Sequence, residues 1–126
     1  MTRNTEEHFQ KHLFEKAGYL NGEETELAFR LDSLENILWW FRSREKQDFY
    51  LQGWQPNRFY PDFIVKTKTG KYIVIEYKGE DRLSNEDSQY KDKLGKLWEK
   101  LNNNGDKFYM ASKANSDEII KAVSNI

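Results

Sequence analysis

Apolar positions change spacing several times along this chain, and each change marks an element. From Gly22 to Glu35, Leu27, Ala28, Leu31 and Leu34 recur at helical intervals, while Glu26 and Arg30 fall four apart on the other side as a solvent-face pair. The apolar, aromatic runs Ile37–Phe41 and Asp48–Gln52 read as strands separated by the polar 42–47 stretch. A loop over 53–58 leads into Phe59–Lys66, and Thr67–Gly70 turns the chain into Lys71–Lys78. Both of these last runs are apolar on alternate and intervening positions, as expected of strands covered on both faces. A second helix is predicted from about Asn85 to Leu101, capped by Ser84, with Tyr90, Leu94, Leu97, Trp98 and Leu101 on its apolar side. Lys107–Ser112 is a short strand and Asp117–Val123 a closing helix. The predicted order α-β-β-β-β-α-β-α belongs to an α/β or α+β mixed sheet flanked by helices. Residues 1–20 are polar with scattered aromatics and read as an N-terminal arm or linker before a domain spanning 21–126.

Composition narrows the field. At 126 residues the chain suits one domain, and an aromatic content of 15% allows a core despite 33% charged residues. Without cysteine there is no disulfide scaffold, thiol nucleophile or cysteine-ligated zinc site. No apolar run approaches a membrane span and no signal peptide opens the chain, which points to the cytoplasm and away from membranes. A net charge of −1 does not advertise nucleic-acid binding, so such a role must rest on local arrangement. His8 and His12 have the spacing of a zinc-protease helix, but Phe9 stands where that chemistry needs Glu.

The chemistry concentrates in Phe59-Tyr60-Pro61-Asp62-Phe63 and Ile75-Glu76-Tyr77-Lys78-Gly79. If Lys68-Thr69-Gly70 is a three-residue hairpin loop with Gly70 left-handed, Thr67 pairs with Lys71 and Asp62 falls directly opposite Glu76. Lys78, two residues on, points the same way. A four-residue loop would instead set Asp62 opposite Ile75. Two facing carboxylates with apolar flanks repel each other and resist desolvation, so positive charge belongs between them. Lys78 supplies one charge, and a divalent cation the rest. An all-oxygen donor set favours Mg²⁺ or Mn²⁺. An acid-x-Lys triplet alone means little, arising about twice by chance in such a composition, whereas Pro-Asp on the strand preceding it is much rarer.

These residues resemble the PD-(D/E)XK nuclease superfamily. More narrowly, Leu20-Asn21-Gly22-Glu23-Glu24 through Ala28, Trp39-Trp40-Phe41-Arg42, Tyr60-Pro61-Asp62-Phe63-Ile64-Val65 and Glu76-Tyr77-Lys78-Gly79 are similar to the C-terminal endonuclease domain of superfamily 2 helicases. The Res subunits of type III restriction enzymes carry such a domain. The similarity spans roughly residues 20–112 and includes Tyr90-Lys91 and Leu94. It implies a restriction-endonuclease-like α-β-β-β-α-β core and Mg²⁺-dependent hydrolysis of DNA phosphodiesters. Asp62 and Glu76 would be metal ligands, joined by the Tyr77 carbonyl and a first-helix glutamate, with Lys78 orienting or deprotonating the attacking water. Glu24 fits the helix position best because it lies three and four residues before Leu27 and Ala28; Glu23 is its rival. The helicase motor and the Gly-rich phosphate loop are absent from this sequence, so a helicase or ATPase domain in the same or a partner chain is an implied partner. Double-strand cleavage would favour a homodimer.

Other features carry alternatives. Gln89, Lys93, Lys96 and Lys100 form a stripe that would suit a DNA backbone or, equally, a solvated helix face; Lys91 joins the DNA-binding set mainly through the resemblance. Trp39 and Trp40 read as core before they read as base-stacking groups. Arg42, Arg44 and Lys46, with Lys66, Lys68 and Lys71, read as solvated positions before a DNA surface. The leading function is a metal-dependent nuclease. A non-catalytic nucleic-acid or docking module on a degenerate nuclease fold is the alternative, with a phosphatase-like or nucleotide-hydrolysing site third.

Overall fold

The computed structural model describes residues 11, 22–42, 49–78 and 86–126. Among them run α1 (Gly22–Asp32), β1 (Ile37–Arg42), β2 (Phe63–Thr67), β3 (Tyr72–Tyr77), α2 (Glu86–Asn102), β4 (Lys107–Ala111) and α3 (Ser116–Ser124). The sheet order is β1-β2-β3-β4, antiparallel between the first three strands and parallel between β3 and β4. The parallel pair requires a crossover, and α2 lies within it. The molecule is therefore a mixed α+β fold. No helix among the described residues is long and apolar enough to cross a membrane.

Strand alternation sorts side chains into two apolar layers. Trp40, Phe63, Val65, Ile73 and Ile75 face one way, onto Leu27 and Leu31 of α1 and Ile119, Ile120 and Val123 of α3. Phe41, Ile64, Val74 and Phe108 face the other way, onto Tyr90 and Leu94 of α2. This two-sided burial is what the uninterrupted apolar runs of β2 and β3 predict. Each large side chain fully withdrawn from water contributes about 1.5–3 kcal/mol. Trp40, Phe63 and Phe108 are the largest of them. Trp39 is only half-buried, against Phe41 and Tyr72.

Three expectations need correction. Phe49–Gln52 form no strand; Leu51 makes one isolated antiparallel bridge with Phe59, and Asp48 lies outside the described residues. Beyond Leu51 come Gly53 and Pro56, which interrupt any further ladder. The second strand begins at Phe63 rather than Phe59, because Pro61 has no N–H to donate. On α2, Leu97 and Leu101 are exposed at 43% and 76%, and the inward line instead runs through Tyr90, Leu94, Gly95 and Trp98. Gly95 permits this: a Cβ there would meet the Phe108 ring at 2.2 Å, so the helix backbone rests on the ring itself.

Arg30 turns to Asp117 of α3 at 2.7 Å rather than to Glu26. Of residues 1–20, Lys11 is described: its N–H donates to Asp32 Oδ1 (2.7 Å) and its carbonyl accepts the Trp40 N–H (3.0 Å). The rest of the predicted arm, with His8 and His12, lies outside the described residues, as do Arg44, Lys46, Gly79 and the Ser84 cap.

Candidate active site

The hairpin loop is the three-residue one. Gly70 has φ +87°, its N–H donates to the Thr67 carbonyl (3.0 Å), and the Thr67 N–H donates to the Lys71 carbonyl (2.9 Å). The register follows: Lys66 pairs with Tyr72, Val65 with Ile73, Ile64 with Val74 and Phe63 with Ile75. One step further sets Asp62 beside Glu76. Asp62 is just outside the ladder and is held there by its side chain, whose Oδ2 accepts the Tyr77 N–H at 2.7 Å. Tyr77, expected to lend its carbonyl to a metal, thus fixes Asp62 through its amide.

Glu76 is 4% exposed on the last turn of the β3 pleat. Burial, and then the Asp62 charge beside it, push its pKa up to about 8; Lys91 and Lys78 act against this shift. Both lysines reach the same oxygen, Glu76 Oε2, at 3.3 Å from Lys78 and 3.4 Å from Lys91. Glu76 Oε1 is buried with no hydrogen-bond partner among the described residues. Such an oxygen is costly unless something positive or protic meets it. Asp87 closes the group from α2, at 3.1 Å from Lys91 and 4.0 Å from Lys78. Partial burial works to lower the pKa of Lys91, but Glu76 and Asp87 outweigh it and hold the value above its ordinary level.

Arg42, at the end of β1, joins the site from the other side. Its Nη2 lies 3.0 Å from Asp62 Oδ1 and 3.2 Å from Glu24 Oε2, and its Nη1 bonds the Asp62 carbonyl at 3.4 Å. Glu24 is buried in the first turn of α1, whereas Glu23 is exposed; the inward acid is Glu24. The expectation that Arg42 is a solvated loop cation is wrong: it is a half-buried bridge between two predicted ligands. Its place at the edge of the Trp39-Trp40-Phe41 strand run and its membership of the Trp39-Trp40-Phe41-Arg42 stretch that carries the resemblance are the signals that could have hinted at this. Asp87 was also missed, and Lys91 serves Glu76 rather than standing free on the helix.

The basic stripe lies apart from this cluster. Gln89 and Lys93 are exposed, and Lys96 is tied to the Phe108 carbonyl (2.7 Å) and Glu99 (3.2 Å) on the β4 side.

The site thus gathers Glu24, Asp62, Glu76 and Asp87 against Arg42, Lys78 and Lys91. Fully ionised, it carries one negative charge too many; a proton on Glu76 restores balance, and a divalent cation beside it would leave one positive charge to spare. No group of three or more His, Asp or Glu side chains converges tightly enough to hold a metal ion among the described residues. Asp62 and Glu76 stand side by side in the register, and Arg42 sits between Asp62 and Glu24. The orphaned Glu76 Oε1 and the carboxylate oxygens of Asp62 are hard donors that fit Mg²⁺ or Mn²⁺. A scan against protein-family models finds no match to this chain, and a search of curated proteins finds none either.

Proposed function

We propose that this chain is a metal-dependent nuclease domain that hydrolyses phosphodiester bonds of DNA. The observation carrying this reading is the buried oxygen of Glu76 that finds no partner among the described residues, set beside Asp62 and within reach of Lys78. The resemblance of Pro61-Asp62 and Glu76-Tyr77-Lys78 to the PD-(D/E)XK pattern supports it, as does the order α-β-β-β-α-β from α1 to β4. Asp62 and Glu76 would hold Mg²⁺ or Mn²⁺, with the Tyr77 carbonyl and Glu24 as further donors. The chemistry such an ion supplies when bound is neutralisation of the phosphate and a water of lowered pKa.

The chain's own residues have separate tasks. Lys78 holds an ammonium at the edge of the carboxylate pair, where it orients the attacking water and offsets charge growing on the phosphate. Lys91 steadies Glu76 from α2. Arg42 fixes Asp62 and keeps the Glu24 carboxylate compensated while it is buried. A helicase or ATPase domain that delivers the substrate, and pairing of two copies for double-strand cuts, belong to the same reading.

The Arg42 bridge favours a second reading, a non-catalytic docking module. With Asp62 and Glu24 already neutralised by the protein, two of the acids need no metal. Incubation of supercoiled plasmid with Mg²⁺, Mn²⁺ or EDTA separates the two. Metal-dependent nicking lost in Lys78→Ala is expected. Intact plasmid in every condition, together with no change in thermal stability on adding Mn²⁺, favours the docking module.

A further inference from the structure

Between β1 and β2 the segment Phe49–Pro61 has chemistry that cleavage leaves unused. Its stem is the Leu51–Phe59 bridge, with reciprocal N–H···O bonds of 2.8 and 2.9 Å, and both stem residues are buried in the α2-side core. The tip is fastened to α2. The Trp54 indole meets the Tyr90 ring edge-on at 4.8 Å, and the Gln55 N–H donates to the Tyr90 hydroxyl at 3.3 Å. Gly53 makes this seat possible, since a Cβ there would lie 2.4 Å from that hydroxyl. Trp54 is nevertheless 63% exposed. On the returning arm the Arg58 guanidinium lies 4.5 Å from the Tyr50 ring centroid, and Tyr50 lies 5.8 Å from Tyr60.

A fastened loop that keeps planar groups in water offers a rigid surface to a ligand with a planar face. Phe49–Pro61 contains no Asp or Glu, although one residue in six of the chain is acidic, and its remaining polar side chains are Gln52, Gln55, Asn57 and Arg58. Rings cover a base face, amides meet base edges and arginine meets phosphate or a base plane; an unpaired nucleotide satisfies all three. A duplex keeps its base faces inside the stack. The ledge also adjoins the carboxylate cluster: the Lys91 ammonium that reaches Glu76 lies 5.2 Å from the ring centroid of Phe59 in the stem.

We infer that Phe49–Pro61 is a stacking ledge for unpaired bases, so that single-stranded or frayed nucleic acid is the substrate class. Its use in cleavage rests on the nuclease reading; its binding does not. The test is fluorescence anisotropy in EDTA with a labelled oligothymidylate of about 16 nucleotides and a blunt duplex of the same length. The whole chain is used, in the Asp62→Ala background, with and without Trp54→Ala or Arg58→Ala. The single strand is expected to bind more tightly than the duplex, and to lose about tenfold in affinity with Trp54→Ala and less with Arg58→Ala. Saturating oligothymidylate should also quench tryptophan fluorescence, and Trp54→Ala should remove most of that quenching. Equal single-strand affinity with and without Trp54, tighter binding of the duplex, or no oligonucleotide binding overturns the ledge. Because catalysis is absent from this assay, plasmid nicking with an unaffected Trp54→Ala variant sinks the ledge alone. A Trp54-dependent single-strand complex without nicking by the unmutated chain sinks only the nuclease reading.

Discussion

β3 has a buried carboxylate at each end, and the two are treated in opposite ways. At its start, Asp106 is 6% exposed and its Oδ1 accepts the Tyr72 N–H at 2.8 Å; the surrounding turn is held by Asn104, which accepts from the Asp106 N–H and from Lys71. At its finish, Glu76 is as deeply buried, but a second carboxylate crowds it and one of its oxygens has no donor among the described residues. The first arrangement joins a turn to a strand. The second crowds two carboxyls so closely that one of them holds its proton up to a pH of about 8. Both ends bury a carboxyl group; incomplete pairing of one of them is what separates a candidate site from a structural tie.

The largest expected effect lies at the Glu76 end. Asp62→Ala and Glu76→Ala should each lower plasmid nicking in Mg²⁺ by about a hundredfold or more while leaving the far-UV spectrum unchanged. Wild-type rates in either variant would remove both acids from the chemistry. Glu76→Ala should be no less stable than the parent at pH 9, where the like-charge pair it relieves is ionised, whereas Asp62→Ala removes the acceptor of the Tyr77 N–H and half of the Arg42 bridge and should cost about 1–3 kcal/mol.

Next in size is a dependence on pH. Between the ordinary glutamate value of 4.5 and the value of about 8 in the fold, the native state holds a proton that the unfolded chain has released. Stability should therefore fall as pH rises through that window, by on the order of a few kcal/mol, and Glu76→Gln should flatten the slope. Urea titrations at pH 5, 7 and 9 measure it; identical slopes for the parent and Glu76→Gln would mean the proton is not on Glu76. Millimolar Mn²⁺ should recover part of the loss at pH 9 in the parent and none in Glu76→Ala.

Asp106→Ala sharpens the contrast from the other end. It strands the Tyr72 N–H and should cost about 1–3 kcal/mol in urea unfolding, with nicking per folded molecule unaltered. A selective loss of nicking would mean the two ends are coupled. The smallest effect is expected for Lys93→Ala on the exposed face of α2: stability within about 0.5 kcal/mol, and a slope of DNA affinity against salt shallower by about one. An unchanged slope makes the helix stripe a solvated face.

Much of this was legible in the residues because it depends on neighbours in sequence. Helical spacing located α1, and Gly70 fixed a loop length that sets the register of Asp62 against Glu76. The strand misread at Phe49–Gln52 shows the limit: aromatic residues favour strands only when a partner strand is there to pair with them. Arg42 was illegible for a related reason. Its meaning comes from Glu24 and Asp62, about twenty residues away on either side, brought together by β1 pairing with β2 and by α1 folding back on the sheet. The misjudged face of α2 has its cause in Phe108, a residue on another element.

Gly95 has a consequence beyond packing. One turn before it on the same helix stands Lys91, whose ammonium only just reaches Glu76, at 3.4 Å. A methyl group at position 95 would collide with the Phe108 ring, so that ring or helix must give way, and a displaced helix carries that lysine with it. The absence of a side chain at one position thus gauges the span of one of the longest side chains in the molecule, in the way a shim sets a gap. Thickening it is a means of detuning the carboxylates without touching any residue that meets them.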